Sequence, residues 1–174
     1  RRRAGWGGGS TGRTLTWQLG KIIGSGAFAE VYQAVNTVTG ELMAVKKVQL
    51  PASARGEDAT ALKALKTEIE LMRSLSHHNI VRYLGTEQSD THLHIFLEYV
   101  SGGSVQSLLA SIGAFEESLA RTYTAQVLDG LCFLHSKQIV HCDIKGGNIL
   151  VTEEGVVKLA DFNSSQRLGD LAGG

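Results

Sequence analysis

The chain has 174 residues, with 17 Lys and Arg balanced against 17 Asp and Glu, and two cysteines. That length can bury a real core in one domain or in two small lobes, and the balanced charge lacks the basic excess expected of a nucleic-acid binder. Cys132 and Cys142 alone build neither a disulfide framework nor a zinc site, which favours a reducing compartment, the cytoplasm, and no apolar run reaches the roughly 20 residues that cross a bilayer.

Residues 1–15, basic and glycine-rich and without an apolar signal region, predict a disordered linker. Order is expected from Thr16. Trp17 to Ile23 alternates as a strand does, and Glu30 to Val35 repeats the pattern after a glycine turn. Thr39-Gly40 then turns into a third strand, Leu42 to Val48. After a polar loop from Pro51 to Gly56, Leu62, Leu65, Ile69, Met72 and Leu75 recur at helical spacing, with Asp58 as the expected N-cap. Val81 to Leu84 and Leu93 to Tyr99 read as two further strands. From Val105 a short helix runs to Ser111, and a longer one presents the stripe Leu119, Tyr123, Val127, Leu131 and Leu134. Cys132 lies in that apolar helix and reads as packing; His77-His78 reads as a solvated turn. Five strands with one helix, then helices, predict an α+β chain of two lobes, 16–98 and 99–174, after the linker.

Three segments carry chemistry. Gly24-Ser25-Gly26-Ala27-Phe28-Ala29 joins two strands; glycines let backbone amides approach a phosphate, although such hairpins are more often only tight turns. The strand-turn-strand setting argues against a Rossmann site, and no GK[ST] ending supports a Walker A loop. Lys46 sits in a strand that reads as buried, where a cation is costly unless paired or bound to an anion; Lys47, next door, points to the other face. Finally, His141-Cys142-Asp143-Ile144-Lys145-Gly146-Gly147-Asn148, followed by Asp161-Phe162-Asn163, supplies a carboxylate, a cation and two metal-directed side chains. Phosphoryl transfer to a hydroxyl needs this inventory.

In order and spacing, these segments resemble the eukaryotic protein kinase domain from about Thr16 to Leu168. Gly26-Ala27-Phe28, Gly102-Gly103-Ser104-Val105 and His141 to Leu150 look most like the mitogen-activated protein kinase kinase kinases. The resemblance implies a bilobal fold, with a five-stranded antiparallel sheet and one helix in the N-lobe and a partial helical C-lobe. It implies ATP and Mg²⁺ as cofactors, and a protein substrate, with a downstream kinase one candidate. Neither nucleic acid nor membrane is an expected partner, and the oligomeric state is left open. By position, Asp143 resembles the catalytic base and Lys145 the γ-phosphate lysine of serine/threonine kinases, while Asn148 and Asp161 resemble the metal ligands. Lys46 would bind the α- and β-phosphates and pair with Glu68; Glu70, about 200° round the helix, is the alternative. Ile23, Gly24, Ser25 and Gly26 would cover the nucleotide, with Val31, Ala44 and Leu150 about the adenine, Leu97 as gatekeeper, and the backbone of Glu98 and Val100 holding the ring's edge. Met72, Tyr83, His141 and Phe162 look like the stacked residues that join the lobes.

The pattern is broken in four places. Ala29 replaces the third glycine. Cys142 replaces an Arg that clamps an activation-loop phosphate in many kinases. Asn163 replaces the Gly of Asp-Phe-Gly and, if that position needs positive φ, costs about 1 to 2 kcal/mol. The chain also stops where the activation segment would begin, without Ala-Pro-Glu, so it reads as a fragment of weak activity by itself with its long helical stripe exposed. The alternatives are a pseudokinase or nucleotide-binding scaffold, supported by Asn163 and the early stop, and a small-molecule kinase, which Lys145 and Gly102-Gly103-Ser104 argue against.

Overall fold

The computed structural model describes residues 2–3, 16–26, 29–50 and 57–171. The elements in chain order are β1 (Arg2–Arg3), β2 (Thr16–Ser25), β3 (Ala29–Asn36), β4 (Leu42–Gln49), α1 (Glu57–Ser74), β5 (Tyr83–Gln88) and β6 (His92–Glu98). There follow α2 (Val105–Ile112), α3 (Glu117–Ser136), β7 (Ile139–Val140), a 3₁₀ turn (Gly146–Asn148), β8 (Ile149–Val151), β9 (Val157–Leu159), β10 (Gln166–Arg167) and α4 (Leu168–Leu171). The chain divides into two compact units, Arg1–Ala64 with Tyr83–Tyr99, and Leu65–Arg82 with Val100–Gly174. Ala27, Phe28, the Pro51–Gly56 loop and, apart from Arg2–Arg3, the expected linker lie outside the described residues.

The first unit is built on an antiparallel sheet ordered β1-β2-β3-β4-β6-β5, in which the two-residue β1 adds a sixth strand beside Thr16 and Trp17. The five longer strands are the sheet expected from the alternation. Side chains directly opposite each other on neighbouring strands share a face. Trp17, Ala34, Met43, Val45 and Phe96 therefore form the core on one side, with Leu19 and Leu84 packed against it. Trp17 meets Phe96 edge-on at 5.3 Å, and its indole N–H donates to Glu87 Oε2 at 2.7 Å, so a large apolar body is buried with its polar tip satisfied.

The second unit is organised by the segment that follows α1. Asn79 is buried, and its side-chain amide donates to the Val157 carbonyl (2.8 Å) and to Gln126 Oε1 (3.2 Å). Gln126 in turn accepts from the Val157 N–H (2.8 Å). The Val81 N–H donates to the Leu159 carbonyl, and the Leu159 N–H to that of Asn79. These bonds explain one departure from the alternation pattern: Val81 is not in a strand but is held against β9, and β5 begins only at Tyr83. Helix α1 starts at Glu57, so Asp58 falls in its first turn rather than at its N-cap. His77 is no free turn residue: its ring stacks on Phe133 (4.7 Å, 20°), and its Nδ1 accepts from the Asn79 N–H.

On α3 the buried line is Gly130 and Leu134, while Leu119, Tyr123, Val127 and Leu131 are half-buried and only Leu128 among its large apolar side chains is exposed. The stripe is thus better covered than expected, and Cys132 lies on the exposed face. A Cβ on Gly130 would stand 3.0 Å from Leu159 Cδ1 and 3.1 Å from the Asn79 carbonyl oxygen. Alanine raises helix propensity by about 1 kcal/mol over glycine, but overpacking a fixed core costs about 1 to 3 kcal/mol. Gly130→Ala should therefore lower stability by about 1 kcal/mol in urea unfolding; a gain in stability would show that β9 can yield.

Candidate active site

In the second unit the loop from His141 to Asn148 is folded around its own side chains. His141 is 1% exposed, and its ring bridges two segments. Nδ1 accepts from the Asp143 N–H (3.3 Å), and Nε2 lies 3.1 Å from the Ala160 carbonyl, an acceptor only, so the ring is the neutral Nε2–H form. Phe162 packs against it at 5.0 Å and is buried. The hydroxyl of Ser165 closes the far side by donating to the His141 carbonyl (3.2 Å).

Asp143 is the centre of the group. Lys145 Nζ donates to Asp143 Oδ2 at 2.8 Å. Asn148 Nδ2 donates to the same oxygen at 2.8 Å and to the Asp143 carbonyl at 2.9 Å. The Lys145 hydrogen bond holds the Asp143 carboxyl below the usual carboxylate range against a smaller desolvation effect, with Asn148 assisting. The same bond raises Lys145. At neutral pH the pair is a carboxylate and an ammonium.

Asn148 is 7% exposed, and its backbone is fixed at both ends: its N–H donates to the Lys145 carbonyl, and its carbonyl accepts from Ala160. With both amide hydrogens directed at Asp143, its side-chain oxygen is the atom left to a cation. Asp161 is exposed and close enough for its charge to act on both His141 and Lys145. Two hard oxygen donors suit Mg²⁺, which prefers one or two protein ligands and keeps several waters.

The expected strain at Asn163 is absent. Positive φ among described non-glycine residues occurs at Gln138, Cys142 and Asp161, the last at 63°. The left-handed residue of the Asp161-Phe162-Asn163 turn is the acidic one, and Asp, like Asn, tolerates that region better than most side chains. The turn is closed by the Ser165 N–H on the Phe162 carbonyl (3.0 Å), so Asn163 gives no backbone reason for Asp161 to leave its place. Cys142, also at positive φ, is exposed, with its thiol 3.6 Å from the Val140 carbonyl.

The remaining predicted residues divide between the units. In the first, Gly24 is opposite Val31, Val31 opposite Lys46, and Ala44 opposite Leu97. Val31, Ala44, Lys46 and Leu97 therefore share the sheet face away from the Trp17 core, with Lys46 buried in its middle. Ile23 and Ser25 lie at the end of β2, the Gly26 N–H donates to the Ala29 carbonyl (2.8 Å), and Glu98 ends β6. In the second unit Val100 is buried, Leu150 on β8 bridges to Ser104, and Glu68 is half-buried on α1 whereas Glu70 is exposed. Two contributors had no signal in the sequence, the Ala160 carbonyl and the Asp143 amide that fix His141, because both are backbone groups.

Burial lowers the His141 pKa, against the opposing pull of the Ala160 carbonyl, Asp143 and Asp161. A depressed histidine binds its proton more readily in the unfolded chain, so its contribution to stability is complete above about pH 6.5 and is lost as pH falls toward the folded value. NMR titration should find the His141 ring gaining its proton only below the ordinary histidine value, and His141→Asn should flatten the loss of stability below about pH 6.5. A His141 ring that titrates at or above the ordinary value would contradict the bridging geometry.

Comparison with known proteins agrees with this arrangement. The profile of the family described as protein kinase domain matches residues 17–172. Mitogen-activated protein kinase kinase kinase 2 of Arabidopsis thaliana is 49% identical over 91% of the chain and 25% of its own length. The corresponding figures are 46%, 90% and 17% for mitogen-activated protein kinase kinase kinase A of Dictyostelium discoideum. For the serine/threonine-protein kinase BCK1/SLK1/SSP31 of Saccharomyces cerevisiae they are 42%, 91% and 11%. The chain thus spans a quarter or less of these relatives. With the match running almost end to end, and with Asp143, Lys145 and Asn148 hydrogen-bonded together, the chain belongs to the protein kinase domain family.

Proposed function

We propose that this chain is the nucleotide-binding and catalytic part of a serine/threonine protein kinase that transfers the γ-phosphate of ATP to a downstream kinase in a mitogen-activated cascade. The observation that carries the reading is the Asp143 carboxylate held at 2.8 Å by both Lys145 and Asn148. Its lowered pKa makes Asp143 a weak base but a permanent acceptor. That suits a loose phosphoryl-transfer transition state, in which aligning the attacking hydroxyl matters more than removing its proton early. Asp143 orients the Ser or Thr hydroxyl and takes its proton late. Lys145, kept cationic by the same contact, offers positive charge to the transferred phosphoryl oxygens. Asn148 and Asp161 would hold Mg²⁺, which when bound neutralises phosphate charge. In the first unit, the glycine turn Gly24–Gly26 and Lys46 bind phosphates, and Val31 and Ala44 offer a flat apolar surface for adenine. The similarity to mitogen-activated protein kinase kinase kinases supports the choice of a protein substrate within such a cascade.

Asp143→Asn in the full-length protein should reduce transfer to Ser/Thr peptides by on the order of a hundredfold or more, since its interaction is made in the transition state. The ATP-induced thermal shift should survive. Near-normal transfer by the variant would remove Asp143 from its role, and loss of the shift would assign it to nucleotide binding instead.

A further inference from the structure

We propose that Gly146 is a positioning residue. Having no side chain, it seats the catalytic loop directly on the backbone of the first turn of α2, and that seat sets Asn148 and, through it, Asp143. The inference rests on the kinase reading above and adds a control point to it.

A Cβ at Gly146 would lie 3.3 Å from both the backbone nitrogen and the Cβ of Gln106, and 3.5 Å from its Cα. Gln106 is the second residue of α2. A Cβ at Gly147 would meet only Gln106 Oε1, at 3.0 Å, the far end of an exposed and flexible side chain. The two neighbouring glycines therefore differ in kind: one faces helix backbone, the other a group that can swing away.

The helix backbone has little freedom to move. Ser104 and Ser107 form a reciprocal capping box, and the Leu108 N–H donates to the Ser104 carbonyl at 2.9 Å. The strand-like segment just before the helix is pinned to β8. The Val151 N–H donates to the Gly103 carbonyl at 2.9 Å, and Gly102 lies so close that a Cβ there would stand 2.4 Å from the Val151 carbonyl oxygen. A side chain at 146 must then displace the loop rather than the helix.

The loop transmits that displacement. Gly146 lies inside the turn closed by the Asn148 N–H on the Lys145 carbonyl, and the buried Asn148 side chain makes both of its amide contacts to Asp143. A shift of a few tenths of an ångström at Gly146 moves the amide that fixes the carboxylate.

The test compares Gly146→Ala with Gly147→Ala in the full-length protein. Gly146→Ala should lower kcat for peptide phosphorylation by on the order of tenfold, with KM for ATP little changed, in line with the sensitivity of catalysis to sub-ångström misplacement. It should also speed hydrogen exchange at the Asn148 amide, whose bond to the Lys145 carbonyl closes the displaced turn. Gly147→Ala should leave kcat and that exchange near wild type. Adding Gln106→Gly, which removes one of the two closest atoms, should restore part of the lost rate and of the folding, if folding is impaired. A wild-type kcat for Gly146→Ala, equal damage from Gly147→Ala, an unaltered Asn148 exchange, or no rescue would each overturn the proposal. An inactive wild type would instead refute the kinase reading, and the exchange comparison would still test the seat.

Discussion

Both hydrogens of the Asn148 side-chain amide go to Asp143, one to its carbonyl and one to its carboxylate. That pairing constrains the rest of the site. It fixes the Asp143 rotamer from inside the fold, where a buried amide left unpaired would cost about 1 to 3 kcal/mol, and it leaves the Asn148 oxygen as the only acceptor on that side chain. The Asp143 carboxylate and the Asn148 oxygen are therefore set by the same pairing. Since the Asn148 backbone is held by Lys145 on one side and Ala160 on the other, the geometry also reaches the segment that carries Asp161.

The Lys145–Asp143 ion pair plays a different part. Both side chains are substantially exposed, at 58% and 34%, and solvent-exposed pairs contribute little to stability because water and salt screen them. What the pair does is electrostatic and local: it keeps a carboxylate deprotonated and an ammonium protonated side by side. His141 works in the opposite sense. It is buried and neutral, and its two ring nitrogens are matched to one backbone donor and one backbone acceptor. A charged ring could not accept from the Asp143 amide, so the low basicity that burial imposes is what allows the imidazole to act as a structural bridge.

Much of this was legible in the sequence because the chemistry and the spacing coincide. His141, Asp143, Lys145 and Asn148 fall within one loop, and a contiguous segment needs no tertiary knowledge to be read as a group. The alternation in β2, β3, β4 and β6 was equally clear, since Met43 and Val45 face one side while Ala44 and Lys46 face the other. Misreadings arose where backbone bonding overrode side-chain pattern. Val81-Arg82-Tyr83-Leu84 looks like the start of a strand, yet the Val81 N–H goes to Leu159, 78 residues further along, an interaction local alternation cannot encode. His77 looked solvated because its partner, Phe133, comes from α3.

The turn after β9 shows most clearly where residue identity stops being informative. Reading Asn163 against a glycine pattern places the backbone cost at the substituted position, because a missing glycine is the visible anomaly. The chain instead puts its left-handed residue at Asp161. That is affordable because Asp is among the few side chains tolerant of positive φ, and Phe162, the next residue, is held by its buried ring and by the Ser165 N–H on its carbonyl. The same logic applies to the two glycines before Asn148. They are identical letters in the sequence, but one faces the first turn of a capped helix and the other the end of a flexible amide side chain, so only the path of α2 distinguishes their surroundings.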